Sequence, residues 1–429
     1  MTFQNTLAFA QALDKKDPLR KYASEFLCPT HNGEKAIYFC GNSLGLQPKS
    51  VRAAINFELD YWTQYGVEGW FTGEDQWLTY HKQLSDLSAP IVGAKPSEVI
   101  IMNTLTINLH LMMVSFYRPT KRRFKIIMEA GAFPSDQYAI ESQIRFHGLD
   151  PSVCIVEIAP REGERLLRTE DIVQIIRSQG NTVALILFGG INYYTGQFYD
   201  LEKIAKAGHR VGAKVGFDLA HAAGNVPLKM HDWQADFAVW CSYKYMNSSP
   251  GGISGAFIHE KHHADKTLPR FAGWWGHDES QRFKMEKGFI PMEGAAGWQA
   301  SCVQVIPSAI HKASLKIFEQ AGGIAVLRKK SVQLTAFLEF VLRQCSQKFE
   351  IITPSVFGDN LDTLDTKNAQ HRGAQLSILT DENGKKLFDK LAANGVICDW
   401  REPNVIRLAP TPLYNSFEEV WRLGQLLKG

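Results

Sequence analysis

The sequence predicts an α/β protein. A large domain with a mostly parallel sheet flanked by helices is followed by a smaller C-terminal α/β domain. Three observations carry this. Apolar, β-prone runs alternate with helical patterns through residues 153–158, 172–177 and 183–188, the rhythm of parallel strands joined by right-handed crossovers. Two further runs, Val215-Gly216-Phe217-Asp218-Leu219-Ala220-His221 and Val239-Trp240-Cys241-Ser242-Tyr243-Lys244-Tyr245, are apolar and end in polar or charged residues. That pattern suits buried strands whose C-terminal ends open on a site. Finally, 429 residues exceed one typical core, so two domains are expected.

Along the chain, residues 3–13 carry a helical pattern. Residues 38–45, Tyr-Phe-Cys-Gly-Asn-Ser-Leu-Gly, read as a short strand and an exposed turn. Asn42 and Ser43 line a pocket there or simply make a tight connection, and the residues alone favour the connection. Residues 49–65 form an amphipathic helix, followed by a stretch dense in Trp62, Trp70 and Trp77. Trp70 sits among glycines and acidic residues, a setting for ring stacking in a loop. A strand over 99–102 leads through Asn103-Thr104-Leu105-Thr106 into a helix from about Ile107. Thr106 is either its N-cap or part of an anion site at the helix start. A strand over 125–128 precedes Phe133-Pro134-Ser135-Asp136, where proline favours a helix start and Phe133 either stacks on a planar ring or closes the core.

Residues 251–259 read as a strand that runs in the reverse direction. Residues 270–300 are rich in aromatics without periodicity, which suggests an interface or a pocket wall. A long helix over 308–347 breaks at Gly322-Gly323. The expected division is an N-terminal arm over 1–45 that joins the small domain or an interface, a large domain over 46–307 and a small domain over 308–429. The small domain has strands at 349–353, 375–379, 396–399 and 405–409, a helix near 384–394 and a polar, mobile loop over 358–372. Arg407 is solvated if its strand is an edge. Pointing into a cleft, its planar fork holds a carboxylate in two parallel bonds.

Composition narrows the function. The formal net charge of +3 does not argue for nucleic acid, and no apolar run reaches the roughly 20 residues of a membrane span. Seven scattered cysteines with no C-x-x-C pair argue against a disulfide framework or a zinc site, and for a reducing cytoplasm. No G-x-G-x-x-G or G-x-x-x-x-G-K-[ST] motif supports a nucleotide site.

Asp218 and Lys244 suggest a chemistry together. A lysine amine condenses with an aldehyde, and a carboxylate beside a pyridine nitrogen keeps that nitrogen protonated. Pyridoxal 5′-phosphate (PLP) requires both. Either residue alone is better read as a helix cap or a solvated lysine. Both at strand ends, with His221 one turn on, favour the cofactor.

These motifs extend into a resemblance over nearly the whole chain. It is carried by the runs at 38–48, 102–106, 133–136, Tyr-Thr-Gly-Gln at 194–197, 216–222, 241–245 and Arg-Leu-Ala-Pro-Thr-Pro-Leu-Tyr-Asn-Ser-Phe at 407–417. The chain resembles the kynureninase family, PLP enzymes of the aspartate-aminotransferase fold (fold type I, class V-like) with a seven-stranded large-domain sheet. The resemblance implies a cytoplasmic homodimer that cleaves the Cβ–Cγ bond of L-kynurenine by hydrolysis, giving anthranilate and L-alanine in tryptophan degradation and NAD biosynthesis. It implies PLP on Lys244, with Leu105, Thr106, Ser135 and Tyr243 at the phosphate and Asp218 at the ring nitrogen. His221 and Phe133 lie at the ring, Pro134 and Asp136 belong to the same cofactor turn, and Trp274 and Cys302 reach the phosphate across the subunit interface. Tyr243 is the proton donor. Asn42, Ser43, Trp70 and Arg407 bind the substrate. No metal is implied.

Cys302 departs from the Asn or Thr common in the family, and Gly189 stands where some members have Ser. Trp70 replaces the His of vertebrate members and offers little to a ring hydroxyl, which implies that 3-hydroxykynurenine is the poorer substrate. The rivals are another PLP lyase such as a cysteine desulfurase, with Cys345 or Cys398 as nucleophile, and a catalytically inactive interaction protein.

Overall fold

The computed structural model describes residues 2–73, 75–346, 349–358, 365 and 367–428. The central sheet has seven strands: β1 Val99–Ile101, β2 Lys125–Glu129, β3 Ile155–Ile158, β4 Val183–Gly189, β5 Lys214–Asp218, β6 Phe237–Cys241 and β7 Ser254–Ile258. Their spatial order is β1-β7-β6-β5-β4-β2-β3. β7 is antiparallel to both neighbours, and every other pairing is parallel. The reversed strand expected over 251–259 is therefore present, shortened by a turn at Gly251-Gly252. The continuous apolar runs have their physical reason here: β6 and β7 are buried at every position, with both sheet faces covered. Gly216 is required in β5, because a Cβ there would come 2.1 Å from the Phe237 ring.

The helices include α1 Leu7–Lys16, α2 Ser50–Tyr65, α3 Leu105–Phe116, α4 Pro134–Phe146, α5 Val305–Gln320, α6 Gly323–Arg343, α7 Gly384–Ala393 and α8 Phe417–Leu426. The first begins four residues later than the pattern suggested, because the Thr6 hydroxyl caps it by accepting from the Phe9 N–H. Phe3 instead anchors against Phe337 and Phe357. The long helix does break at Gly322-Gly323. α5 and the start of α6, through Leu327, pack with the large-domain core, while Leu334 to Leu342 pack with the small one.

The small sheet contains β8 Phe349–Ile351, β9 Leu376–Thr380, β10 Asp399–Arg401 and β11 Val405–Leu408, in the antiparallel order β8-β9-β11-β10. Its core takes in Ile37 and Phe39 from the N-terminal segment, and residues 37–38 pair in parallel with Val396–Ile397. Asp14 is buried and accepts the Phe417 and Glu418 N–H groups, capping α8. Most of the loop expected to be mobile over 358–372 lies outside the described residues. Its end is packed: Arg372 is fully buried and pairs with Glu339. Among the described residues, no helix is long and apolar enough to cross a membrane.

Candidate active site

The carboxyl ends of β2, β4, β5 and β6 and the amino ends of α3 and α4 converge on one cleft. It encloses about 570 Å³ of atom-free space, its open mouth included. Asp218 ends β5, and Lys244 follows β6 by three residues. The parallel register of these neighbouring strands puts both side chains on the cleft. Leu105, Thr106, Phe133, Ser135, Asp136, His221 and Tyr243 line it with them, as do Glu129, Gly189, Ile191, Tyr193 and Ala220.

α3 starts at Leu105, two residues earlier than expected. Thr106 therefore lies within the first turn and does not cap it. Its hydroxyl is free to meet the Ser135 hydroxyl at 2.8 Å, so two helix N-termini present hydroxyls and N–H groups to the same space. Pro134 occupies the first turn of α4, where its missing N–H costs nothing.

Lys244 Nζ lies 3.0 Å from His221 Nε2. Burial, and then the charge of Lys244, hold the imidazole well below its usual pKa, so His221 is neutral and accepts from the ammonium. Its Nδ1 is buried without a partner. The Phe133 ring lies 5.8 Å from Lys244 Nζ and edge-on to Tyr193. Burial pushes the Tyr243 phenol well above its usual range, so it keeps its proton.

The same cleft holds three buried carboxyls. Asp218 accepts the Ala220 N–H at 2.7 Å. Burial raises both Asp136 and Asp218. Asp136 is raised further by the charge of Asp218 and holds the proton between them, leaving Asp218 as the anion. Glu129 is pushed up to about 7 by burial, and both its oxygens accept the Gly189 N–H. A Cβ at position 189 would come 2.8 Å from a Glu129 oxygen, so Glu129 fills the space a side chain would need there.

Arg407 lies in β11, an interior strand, and is 1% exposed. The solvated-edge alternative is therefore replaced by the buried one. Its Nη1 donates to the Tyr193 carbonyl at 2.7 Å and its Nη2 to the Ser43 hydroxyl at 3.2 Å and to Asp399. Asn42 donates to Gln375, which itself donates to the same Tyr193 carbonyl. Asn42 and Ser43 thus belong to this polar corner behind the cleft.

Besides Pro134 and the corner residues Asn42, Ser43 and Arg407, the expected site residues Trp70, Trp274 and Cys302 do not line the cleft in the single chain. Trp70 packs on Trp77 and Trp275. Trp274 is 47% exposed and packs on Trp275 and Phe283, and Cys302 is exposed. No cysteine lines the cleft. Cys398 is buried and its thiol is pushed up by burial, as is that of the half-buried Cys345. The sequence reading missed Glu129, Tyr193 and Asp399. Tyr193 stands one residue before the quoted 194–197 motif, and the Asp399-x-Arg401 spacing puts two opposite charges on one strand face.

The donor set fits PLP: an amine, an anionic carboxylate in the same cleft, and paired hydroxyls at two helix starts for a phosphate. The architecture agrees. A C-DES mutant with glycine covalently linked to the PLP cofactor superposes with a TM-score of 0.75 at 17% identity, over 92% of this chain and 96% of that one. A cysteine desulfurase from Thermococcus onnurineus superposes with a TM-score of 0.72 at 18% identity, over 100% and 98%. This is the fold of the fold-type-I PLP-dependent enzymes.

Sequence narrows the class. Residues 327–427 match the family described as "Kynureninase C-terminal domain". Kynureninase from Flavobacterium psychrophilum is 54% identical over 100% of this chain and 99% of its own length. Kynureninase from Flavobacterium johnsoniae is 52% identical over the same shares. The chain belongs to the kynureninase family.

Proposed function

We propose that this chain hydrolyses the Cβ–Cγ bond of L-kynurenine to anthranilate and L-alanine, using PLP held in the cleft. The observation that carries this reading is that Asp218 and Lys244 line one cleft, in a chain with relatives of 52–54% identity named kynureninase. Bound there, PLP supplies an aldehyde for amine capture and a protonated ring that stabilises a carbanion.

Lys244 is the residue that would hold the cofactor through its amine, and the same amine would be the base that takes the substrate's Cα proton. Asp218, the anion of its buried pair, holds the ring nitrogen protonated. Thr106, Ser135 and Tyr243 anchor the phosphate, and Tyr243, whose phenol keeps its proton, donates it as the product forms. Neutral His221 accepts from Lys244 and steers its amine. Arg407, with Ser43 and Asn42, receives the substrate carboxylate.

Trp70, Phe71, Trp274, Trp275 and Phe283 form one linked aromatic cluster, in which Trp275 is buried and Phe71, Trp274 and Phe283 make the exposed surface. We assign that surface to a homodimer contact that carries Trp274 and Cys302 to the partner's phosphate site and Trp70 to its substrate ring. The indole leaves a 3-hydroxyl almost unpartnered, so L-kynurenine is the preferred substrate. The enzyme works in the cytoplasm. Incubating the protein with PLP and L-kynurenine should release fluorescent anthranilate and alanine. A PLP-loaded protein that releases neither would sink the reading.

A further inference from the structure

Arg407 is not free to receive a ligand as it stands. Both hydrogens of its Nη2 are committed, one to Ser43 and one to Asp399, and Nη1 donates to the Tyr193 carbonyl. Its Nε is buried without a partner. A guanidinium offers a carboxylate two edges, Nε with Nη2 or Nη1 with Nη2, and both include Nη2. An incoming carboxylate therefore has to displace what Nη2 now holds. Of the two groups there, only Asp399 is charged. The Ser43 hydroxyl is itself bonded to the same Asp399 oxygen.

Asp399 has somewhere to go. Arg401 Nη2 lies 3.1 Å from that oxygen, and the Arg401 side chain is 37% exposed, with its Nε buried and unpartnered. Asp399 and Arg407 are directly opposed in the β10–β11 register, and Arg401 is two residues along the same strand. Exchange between the two arginines needs only side-chain rotation, since the backbone positions are fixed by the sheet.

We propose that Asp399 is an internal carboxylate that occupies Arg407 until the substrate carboxylate replaces it, and that it then withdraws to Arg401. The proposal rests on the assignment of Arg407 to the substrate carboxylate. The device has a physical rationale. A buried guanidinium without a counter-ion is costly, and Asp399 removes that cost in the free enzyme. In return, a ligand gains Arg407 only if it brings a full negative charge of its own, which selects against amides, esters and decarboxylated analogues.

The test uses the PLP-loaded enzyme and 3-benzoylpropionate. This probe carries the aryl ketone and carboxylate but no amine, so its binding does not depend on reaction with the cofactor. Calorimetry gives its Kd. Asp399→Asn removes the charged competitor and should tighten the probe about tenfold, with a matching fall in the KM for L-kynurenine and little change in kcat. Arg401→Gln removes the refuge, strengthens the hold of Asp399 on Arg407 and should weaken the probe several-fold. Arg401 is partly exposed, so this variant keeps the test alive if Asp399→Asn does not fold. Failure of a folded variant to move Kd in its stated direction overturns the proposal. Arg407→Gln is measured in parallel. Probe affinity unchanged there overturns the carboxylate assignment, and this proposal with it. Affinity lost there, without the opposed shifts at 399 and 401, overturns this proposal alone.

Discussion

The candidate site has two halves, the cleft around Lys244 and the polar corner behind it around Arg407, and they are built on different plans. The half around Lys244 comes from consecutive strand ends and helix starts of one sheet, and its charges are buried carboxyls and one amine. The half around Arg407 is assembled from Ser43, Tyr193, Asp399 and Arg407, four segments from both ends and the middle of the chain. The first half is set by the topology of the sheet. The second exists only when the small domain is docked. The difference teaches that, on the proposed reading, chemistry and substrate capture rest on different supports in the fold, so they should fail separately.

Lys244→Ala is the hardest break. Turnover should fall about ten-thousand-fold or more, because capturing amine and base are lost together. Ligand affinity at Arg407 should be nearly unchanged, and comparable losses in both would mean that the halves are coupled. Asp218→Asn should cost on the order of a hundred- to a thousand-fold in kcat, with the absorbance of the bound cofactor altered. A rate close to that of the parent would remove Asp218 from the ring nitrogen. Arg407→Gln should act on the other half alone, raising KM roughly ten- to a hundredfold through the lost charge-assisted bonds while kcat moves little. A selective drop in kcat would instead place Arg407 with the chemistry.

Glu129→Gln sharpens the comparison with the smallest effect, through stability. The Glu129 carboxyl is raised from an ordinary 4.5 to about 7 on folding. Its protonated form therefore favours the folded state, fully so below about 4.5, and that contribution is lost as pH rises through about 7. Thermal unfolding of the cofactor-free protein should show the parent losing more stability than Glu129→Gln between pH 4.5 and 7. Parallel profiles would show that Glu129 is already ionised in the fold.

Legibility in the sequence divides along the same line. The alternation of strands and helices, the reversed β7 and the break at Gly322-Gly323 follow from local patterns, and so does the approach of Asp218 to Lys244, because parallel strands open their sites at one end. Glu129 was invisible because it reads as an ordinary polar residue just after a strand over 125–128, which the structure extends to include it. Only the pairing of β2 with β4 brings it under Gly189. Asp399 was missed because its partner is fixed by antiparallel register, which no local spacing reveals. α3 was placed two residues late because Thr106 looks like a cap, and the structure shows its hydroxyl turned to Ser135. Trp70 and Trp274 do not reach the cleft of the single chain, since Trp70 packs on the buried Trp77 and Trp275, and Trp274 on Trp275 and Phe283.

The cap that Asp14 places on α8 has a consequence for biosynthesis. The segment that carries Asp14 finds its partners, α6 and α8, only once α8, Phe417–Leu426, has left the ribosome. The large sheet is complete well before that, so Lys244 and Asp218 are in position while the arginine corner is still unformed. A ribosome stalled before α8 should display a nascent chain able to take up vitamin B6 yet unable to retain an amino acid, and a released chain that lacks residues 1–16 should remain in that same half-finished condition.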